Sequence, residues 1–239
     1  MQRKKFYIEQ LDAALKGGIP CNNIVLLAGG AGAGKTTLCM EFLCNGINKD
    51  KEKGIIFTLN EPDMKLVSFF EKYSFFDKKY IESGYLNIID LRTVLIKKKD
   101  NKYTTAEPYE ILNFIAEQFS EIKPKRIVID SLSALCSQFE DEATVRHFLF
   151  ELGNLLIVHS ATSILISETH PEKRNYSNFG VEEFISDGII YMTLTERNNK
   201  LIKTLQIVKM RGTEHSEEQF LLNVSDNGIS LLKMIDKNA

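Results

Sequence analysis

The sequence has no tryptophan, only five prolines, and four cysteines in 239 residues. Cys21, Cys39, Cys44 and Cys136 form no C-x-x-C pair, which argues against a zinc knot or redox dithiol and for buried, reduced thiols. Charge of either sign in excess is missing too: 30 basic against 32 acidic side chains leave a formal net charge of −2. Bulk attraction to nucleic acid or to a membrane is therefore not expected. No apolar run reaches the length of a membrane span, and the start, "MQRKKFYIEQLD", has no apolar h-region. Together these absences predict a cytoplasmic protein. There is no internal repeat, and "IKKKDNKYTT" (96–105) is expected to be an exposed loop.

What the chain does have is a 44% hydrophobic content, enough to fill the core of one large α/β domain over 1–239. Up to its middle, apolar runs of strand length alternate with segments of helical period. "NIVLLAG" (23–29), "GIIFTLN" (54–60), "GYLNIID" (84–90), "RIVID" (126–130) and "TSILISE" (162–168) are predicted strands. "KTTLCMEFLCNGI" (35–47), "MKLVSFFEKY" (64–73), "AEPYEILNFIAEQFSEI" (106–122) and "DEATVRHFLFELGNLLIVHS" (141–160) are predicted helices. Such alternation predicts a mostly parallel central sheet with helices on both faces. After Asp187 the pattern changes to strand-like runs joined by short polar turns, including "ERNNK" and "SDNG". These predict an antiparallel C-terminal extension of the sheet.

"GGAGAGKT", Gly29 to Thr36, satisfies G-x-x-x-x-G-K-[ST] between a predicted strand and a predicted helix. Small residues let the backbone wrap a phosphate, and the N–H groups at the helix start point at the anion. Gly30, Ala31, Gly32, Ala33, Gly34, Lys35, Thr36 and Thr37 are thus the candidate nucleotide cradle. Lys35 would reach the β- and γ-phosphates of ATP, and the Thr36 hydroxyl would bind Mg²⁺. Asp130, closing "RIVID", has the Walker B position and is the second candidate Mg²⁺ contact. Ligands in open α/β sheets sit at the carboxyl ends of strands, so Gly29, Glu61, Asp130 and Glu168 are expected to converge. Glu168 reads either as a sensor of the γ-phosphate or as a structural partner of a nearby cation.

With these motifs in place the chain resembles the KaiC-like ATPases of the RecA superfamily, in a single-domain version. The resemblance rests on "LDAALKGGIP" (11–20), "AGAGKTTLCMEFLCNG", "IVIDSLSAL", "FGVEEFISDGII" (179–190) and "VKMRGTEHS" (208–216), and it covers nearly the whole chain. It implies a RecA-like P-loop fold and a homo-oligomer, a hexameric ring, with ATP between neighbouring subunits. It also implies that the segment carrying Lys209, Arg211, Thr213 and His215 reaches the nucleotide of the adjacent copy. Asp226 is a weaker candidate for a base or ribose contact. Without the resemblance, Lys209 and Arg211 read as a solvated strand edge and His215 as a surface histidine; His147, His159 and His170 lack ligand spacing and read as structural or surface residues.

The resemblance also exposes a departure. The family commonly carries two adjacent glutamates after its second strand, and this chain has Asn60 followed by Glu61. An amide can orient water but cannot accept its proton at neutral pH, so slow hydrolysis is expected, with Asn60 or Glu61 placing the water. Alternatively, Asn60 is a turn residue at a strand end. Three functions remain open: a slowly hydrolysing ring ATPase of regulatory type with an unknown protein partner; an ATP-dependent scaffold of the archaellum-accessory type; and a recombinase-like DNA-binding ATPase. Against the last, the basic stretches "RKK" (3–5), "KKK" (97–99) and "KPKR" (123–126) are separate and read as solvated faces. A full autokinase clock protein is not expected, because 239 residues hold one such domain and the family's clock members carry two in tandem.

Overall fold

The computed structural model describes residues 2–99, 102–169, 175–197 and 199–234. In chain order, β1 (Arg3–Lys4), α1 (Glu9–Ala14) and β2 (Ile19–Pro20) form an N-terminal strap that precedes β3 (Ile24–Gly29) and α2 (Lys35–Asn45). Next come β4 (Gly54–Thr58), α3 (Asp63–Phe70), α4 (Lys79–Glu82), β5 (Leu86–Asp90) and α5 (Arg92–Leu95). A small hairpin of β6 (Ile96–Lys99) and β7 (Lys102–Thr105) leads to α6 (Pro108–Ile122), β8 (Arg126–Asp130), α7 (Leu132–Cys136), α8 (Glu142–Val158) and β9 (Thr162–Glu168). The chain ends through α9 (Glu182–Ile185), β10 (Gly188–Arg197), β11 (Lys200–Met210), β12 (Gln219–Ser225) and β13 (Gly228–Lys233).

Nine strands form one sheet in the order β13-β12-β11-β10-β3-β9-β8-β4-β5. From β10 to β5 every neighbour is parallel, and β11, β12 and β13 add antiparallel to the β10 edge. The mostly parallel sheet with an antiparallel extension is as expected. Alternation along the strands sorts the core into two layers. Val25 and Leu27 of β3 join Leu38, Phe42 and Leu43 of α2 on one face. Ile24 and Leu26 join Ile111, Phe119, Phe148 and Leu152 of α6 and α8 on the other. Helix starts follow local chemistry: Pro108 opens α6 behind a Glu107–Glu110 capping box, and Asp141 caps α8 by accepting from the Thr144 N–H.

Some expectations change. Residues 96–99 and 102–105 form an antiparallel hairpin rather than a loop, because alternation in a short polar run carries little signal. The strand predicted over 54–60 is β4, which stops at Thr58, and α2 passes into a π-turn over Gly46–Asp50. Arg126 packs against that turn. A Cβ on Gly46 would lie 2.1 Å from the Arg126 Nε.

Arg126 is itself a correction to reading "KPKR" as a solvated face, since it is fully buried. Its guanidinium pairs with Asp50 at 2.5 Å and Glu52 at 3.0 Å. It also donates to the carbonyls of Lys5 and Phe42 and lies 4.4 Å from the Phe42 ring centroid. The first basic stretch is engaged as well: Arg3 donates to the carbonyls of Leu15 and Gly18, and Lys4 pairs with Glu52. Of the histidines, His159 packs edge-on against Phe119, His147 is exposed, and His170 lies outside the described residues. Cys39, Cys44 and Cys136 are buried thiols, while Cys21 is only half-buried.

Glu41 anchors the C-terminal hairpin on the helix that follows the phosphate loop. Its carboxylate accepts from the Ile229 N–H at 2.8 Å and fills the space above Gly228. Burial pushes its pKa up from 4.5 to about 7, and the Ile229 hydrogen bond only partly offsets that. An acid whose folded pKa is raised destabilises the fold as pH climbs from the unfolded value through the folded one. A Glu41→Gln chain, which keeps an acceptor for Ile229, should match wild type near pH 4.5. It should become more stable by about 3 kcal/mol above pH 7. Urea denaturation at both pH values checks this, and a pH-independent difference would contradict it.

Candidate functional site

The phosphate loop runs from the end of β3 into α2 and needs glycine at two points. Gly29 has φ 155°, and a Cβ there would lie 2.1 Å from the Met192 carbonyl of the adjacent β10. Gly34, the residue before α2, has φ 100°, a left-handed conformation that lets the chain turn into the helix. Ala31 and Gly32 are exposed at the crest of the loop, and Gly30 and Gly34 are half-buried. Ala33 and Thr37 are buried against the core and hold the loop to it.

Lys35 and Asp130 meet at the base of the loop. The Lys35 ammonium donates to the carbonyls of Gly29 at 2.7 Å and Gly30 at 2.8 Å. The Thr36 hydroxyl donates to the Asp130 carboxylate at 2.6 Å. Asp130 is buried, and desolvation raises its pKa against the lowering effects of the Thr36 hydrogen bond and the Lys35 charge. Desolvation lowers the pKa of Lys35, with Glu168 and Asp130 acting in the opposite sense. A buried ammonium beside a buried carboxylate and a hydroxyl provides fixed charges of both signs at the carboxyl ends of neighbouring strands.

These groups line a cleft of about 500 Å³. Glu61, Asp130 and Glu168 all face it, as the strand-end argument requires, and Gly29 is tied in through Lys35. Its other wall is apolar, made by Leu66, Phe69 and Tyr73 after β4 and by Val224 of β12. Lys203 of β11 adds a cation at the rim. Sequence reasoning missed these residues, because they converge from α3, the segment after it and the antiparallel strands. Asp226 is exposed in the β12–β13 turn, and its carbonyl accepts from the Ser74 N–H beside Tyr73.

Asn60 and Glu61 lie in a bend beyond β4, so strand alternation no longer decides where they point. Asn60 donates from its amide to Glu168 at 3.2 Å and to the Ser131 hydroxyl at 3.4 Å. Glu61 turns along the start of α3 and pairs with Lys65 at 2.9 Å. Both are thus at the cleft, and they have different partners.

Lys209, Arg211, Thr213 and His215 sit elsewhere. Lys209 is opposite Ile189 of β10, which is level with Leu26 of β3. The Arg211 N–H donates to Asp187, whose own N–H donates to Ile24, so Arg211 is level with the start of β3. From Ile24 to Gly29 the strand covers roughly 17 Å, well beyond the reach of one side chain. This segment therefore cannot touch the phosphate loop of its own chain. Lys209 donates to the carbonyls of Glu183 and Ser186, and Arg211 lies 3.7 Å from Asp187. Desolvation lowers the pKa of Lys209, and the Arg211 charge adds to that. Thr213 accepts from Arg3, and His215 contacts the Ser216 carbonyl through Nδ1. No helix among the described residues is long and apolar enough to cross a membrane.

Comparison with known proteins bears on family and fold. A family profile described as "ATPase: KaiC" matches residues 4–235. A UPF0273 protein of Pyrococcus horikoshii is 34% identical over 95% of this chain and 93% of its own length. A UPF0273 protein of Methanopyrus kandleri is 32% identical over 96% of this chain and 91% of its own. The circadian clock oscillator protein KaiC of Parathermosynechococcus lividus is 28% identical over 97% of this chain, which spans 42% of that longer protein. Among solved structures, a KaiC-like protein from Pyrococcus horikoshii superposes with a TM-score of 0.85 at 31% identity, covering 97% of this chain and 99% of that one.

Proposed function

The chain belongs to the KaiC family of ATPases, and from that premise we propose that it binds ATP with Mg²⁺ and hydrolyses it slowly, as one domain in a ring of identical copies. The observation that carries the reading is the contact between Thr36 and the buried Asp130 at the foot of a glycine-rich loop. Both are hard oxygen donors, the chemistry Mg²⁺ prefers, so the residues fit the ion. Bound there, Mg²⁺ would neutralise charge on the β- and γ-phosphates. Lys35 exchanges the Gly29 and Gly30 carbonyls for phosphate oxygens, and the N–H groups of Gly32 to Thr37 hold the anion. Leu66, Phe69, Tyr73 and Val224 offer the apolar surface on which a base can rest.

Support for the ring is the position of Lys209 and Arg211, remote from their own loop; to serve a neighbour's, Lys209 would exchange the Glu183 and Ser186 carbonyls and Arg211 would leave Asp187. Cations placed in this way stabilise charge on the transferring phosphoryl group and couple hydrolysis to assembly. Support for slowness is Asn60, which stands where the family commonly has a glutamate and cannot accept a proton. The same residue favours a second reading, an ATP-dependent assembly protein with no turnover. Engagement of Arg3, Lys4 and Arg126 within the fold removes part of the basic surface a DNA-binding reading would use.

Steady-state phosphate release and oligomer mass, measured together with MgATP, separate these readings. The proposal expects a ring-sized assembly and turnover well below the ~10 per second typical of enzymes. ATP binding and assembly without phosphate release would replace it with the scaffold.

A further inference from the structure

Asn60 and Glu168 come from different crossovers of the sheet, and their contact suggests what the amide does. Glu168 ends β9, beside Gly29 of β3, and its side chain is exposed into the cleft that Lys35, Thr36 and Asp130 line. Its backbone is held from below. The Glu168 N–H donates to the Ser133 hydroxyl at 2.9 Å, Ser133 touches Ser167 at 3.3 Å, and Ser167 donates to the fully buried Glu182 at 3.4 Å. Glu182 in turn accepts from the N–H groups of Asn178, Phe179 and Val181. From above, the Asn60 amide holds the carboxylate itself, while its second contact with Ser131 ties it to the strand end that carries Asp130. Glu61 also faces the cleft, and its carboxylate pairs with the exposed Lys65 rather than with Asn60.

We propose that Glu168 is the carboxylate that orients the attacking water in this chain, and that Asn60 is its positioning residue. The inference rests on the ATPase reading above and deepens it. A neutral amide suits this role: it donates to a carboxylate, whereas a glutamate at the same place would face Glu168 charge against charge. In the step itself, the water oxygen bonds to the γ-phosphorus and the bond from that phosphorus to the β–γ bridging oxygen breaks. ADP leaves with the electron pair. A water proton passes to Glu168 and returns to the released phosphate, so the carboxylate is regenerated. Positioning supplies most of the effect because the transition state is loose.

The test compares wild type with Glu168→Gln, Asn60→Ala and Glu61→Gln. Glu168→Gln should lower kcat by about 100-fold and Asn60→Ala by about tenfold, and the loss in Glu168→Gln should exceed that in Glu61→Gln. All should bind a fluorescent ATP analogue as wild type does. The complex of ADP with aluminium fluoride, which mimics the transferring phosphoryl group, should bind Glu168→Gln at least ~10-fold more weakly than wild type, with ADP alone unchanged. Glu168→Gln turning over as fast as wild type, or loss of turnover in Glu61→Gln instead, overturns the inference. If wild type itself releases no phosphate, the ATPase reading fails, and the fluoride complex still decides: equal affinity in wild type and Glu168→Gln rejects the role of Glu168.

Discussion

A Lys35→Ala chain should fold normally and lose its affinity for MgATP by at least ~100-fold, close to 2.8 kcal/mol. The ammonium is buried, and it donates to carbonyls of its own loop. Burial already penalises its charged form, so the fold loses little when alanine replaces it and the two carbonyls meet water. A nucleotide loses far more, because among the described residues no other cation lies at the base of the loop; Lys203 is at the rim. Isothermal titration with MgATP, beside a thermal melt, checks both halves. Retained affinity would move the site away from the loop, and a collapsed melt would make Lys35 a structural residue.

The second large effect lies at the opposite end of the sheet. Arg126→Met should destabilise the chain by about 3–5 kcal/mol, a large share of the roughly 5–15 kcal/mol that holds a typical domain. Methionine is close in length but removes the partner of Asp50 and Glu52 and the donors to the Lys5 and Phe42 carbonyls. Asp50 and Glu52 are then left with Tyr7 and Lys4 as partners, the Lys5 and Phe42 carbonyls lose a donor, and the π-turn after α2 loses the group packed against Gly46. Guanidinium denaturation reads the difference, and a shift below about 1 kcal/mol would show that the cluster rearranges at little expense.

These two residues also show how unevenly sequence reveals structure. Lys35 was legible because a phosphate cradle needs small residues, a lysine and a hydroxyl at fixed local spacing. Asp130 was legible because an apolar run ends on it. Strand–helix alternation carried the sheet for the same reason, since periodicity is a local property. Arg126 was not legible. Its burial depends on Asp50, Glu52 and the N-terminal strap, which are distant in sequence, and locally "KPKR" looks like any solvated run. The apolar wall of the cleft was hidden likewise: Phe69 and Val224 meet only because β12 folds back over the loop.

The Asn60–Glu61 pair lies between these cases. The sequence showed that an amide replaces a common glutamate and raised the question of rate. Only the fold shows that the strand ends two residues earlier, that Glu61 is bound to Lys65, and that Asn60 reaches Glu168 from another crossover. Lys209 and Arg211 needed the register of β10 and β11 before their distance from their own loop became visible.

That distance makes the central claim testable in one measurement. Lys35→Ala chains lack the loop cation, and Arg211→Ala chains lack the cation that the proposed ring would offer to a neighbour, so each alone should release little phosphate. Mixed and reassembled in equal amounts, the two place some intact loops beside intact Arg211 side chains. The account predicts that phosphate release in the mixture exceeds the average of the separate variants several-fold and rises with assembly. A mixture no faster than that average, with mixed assembly confirmed by mass, would contradict a site shared between neighbouring copies.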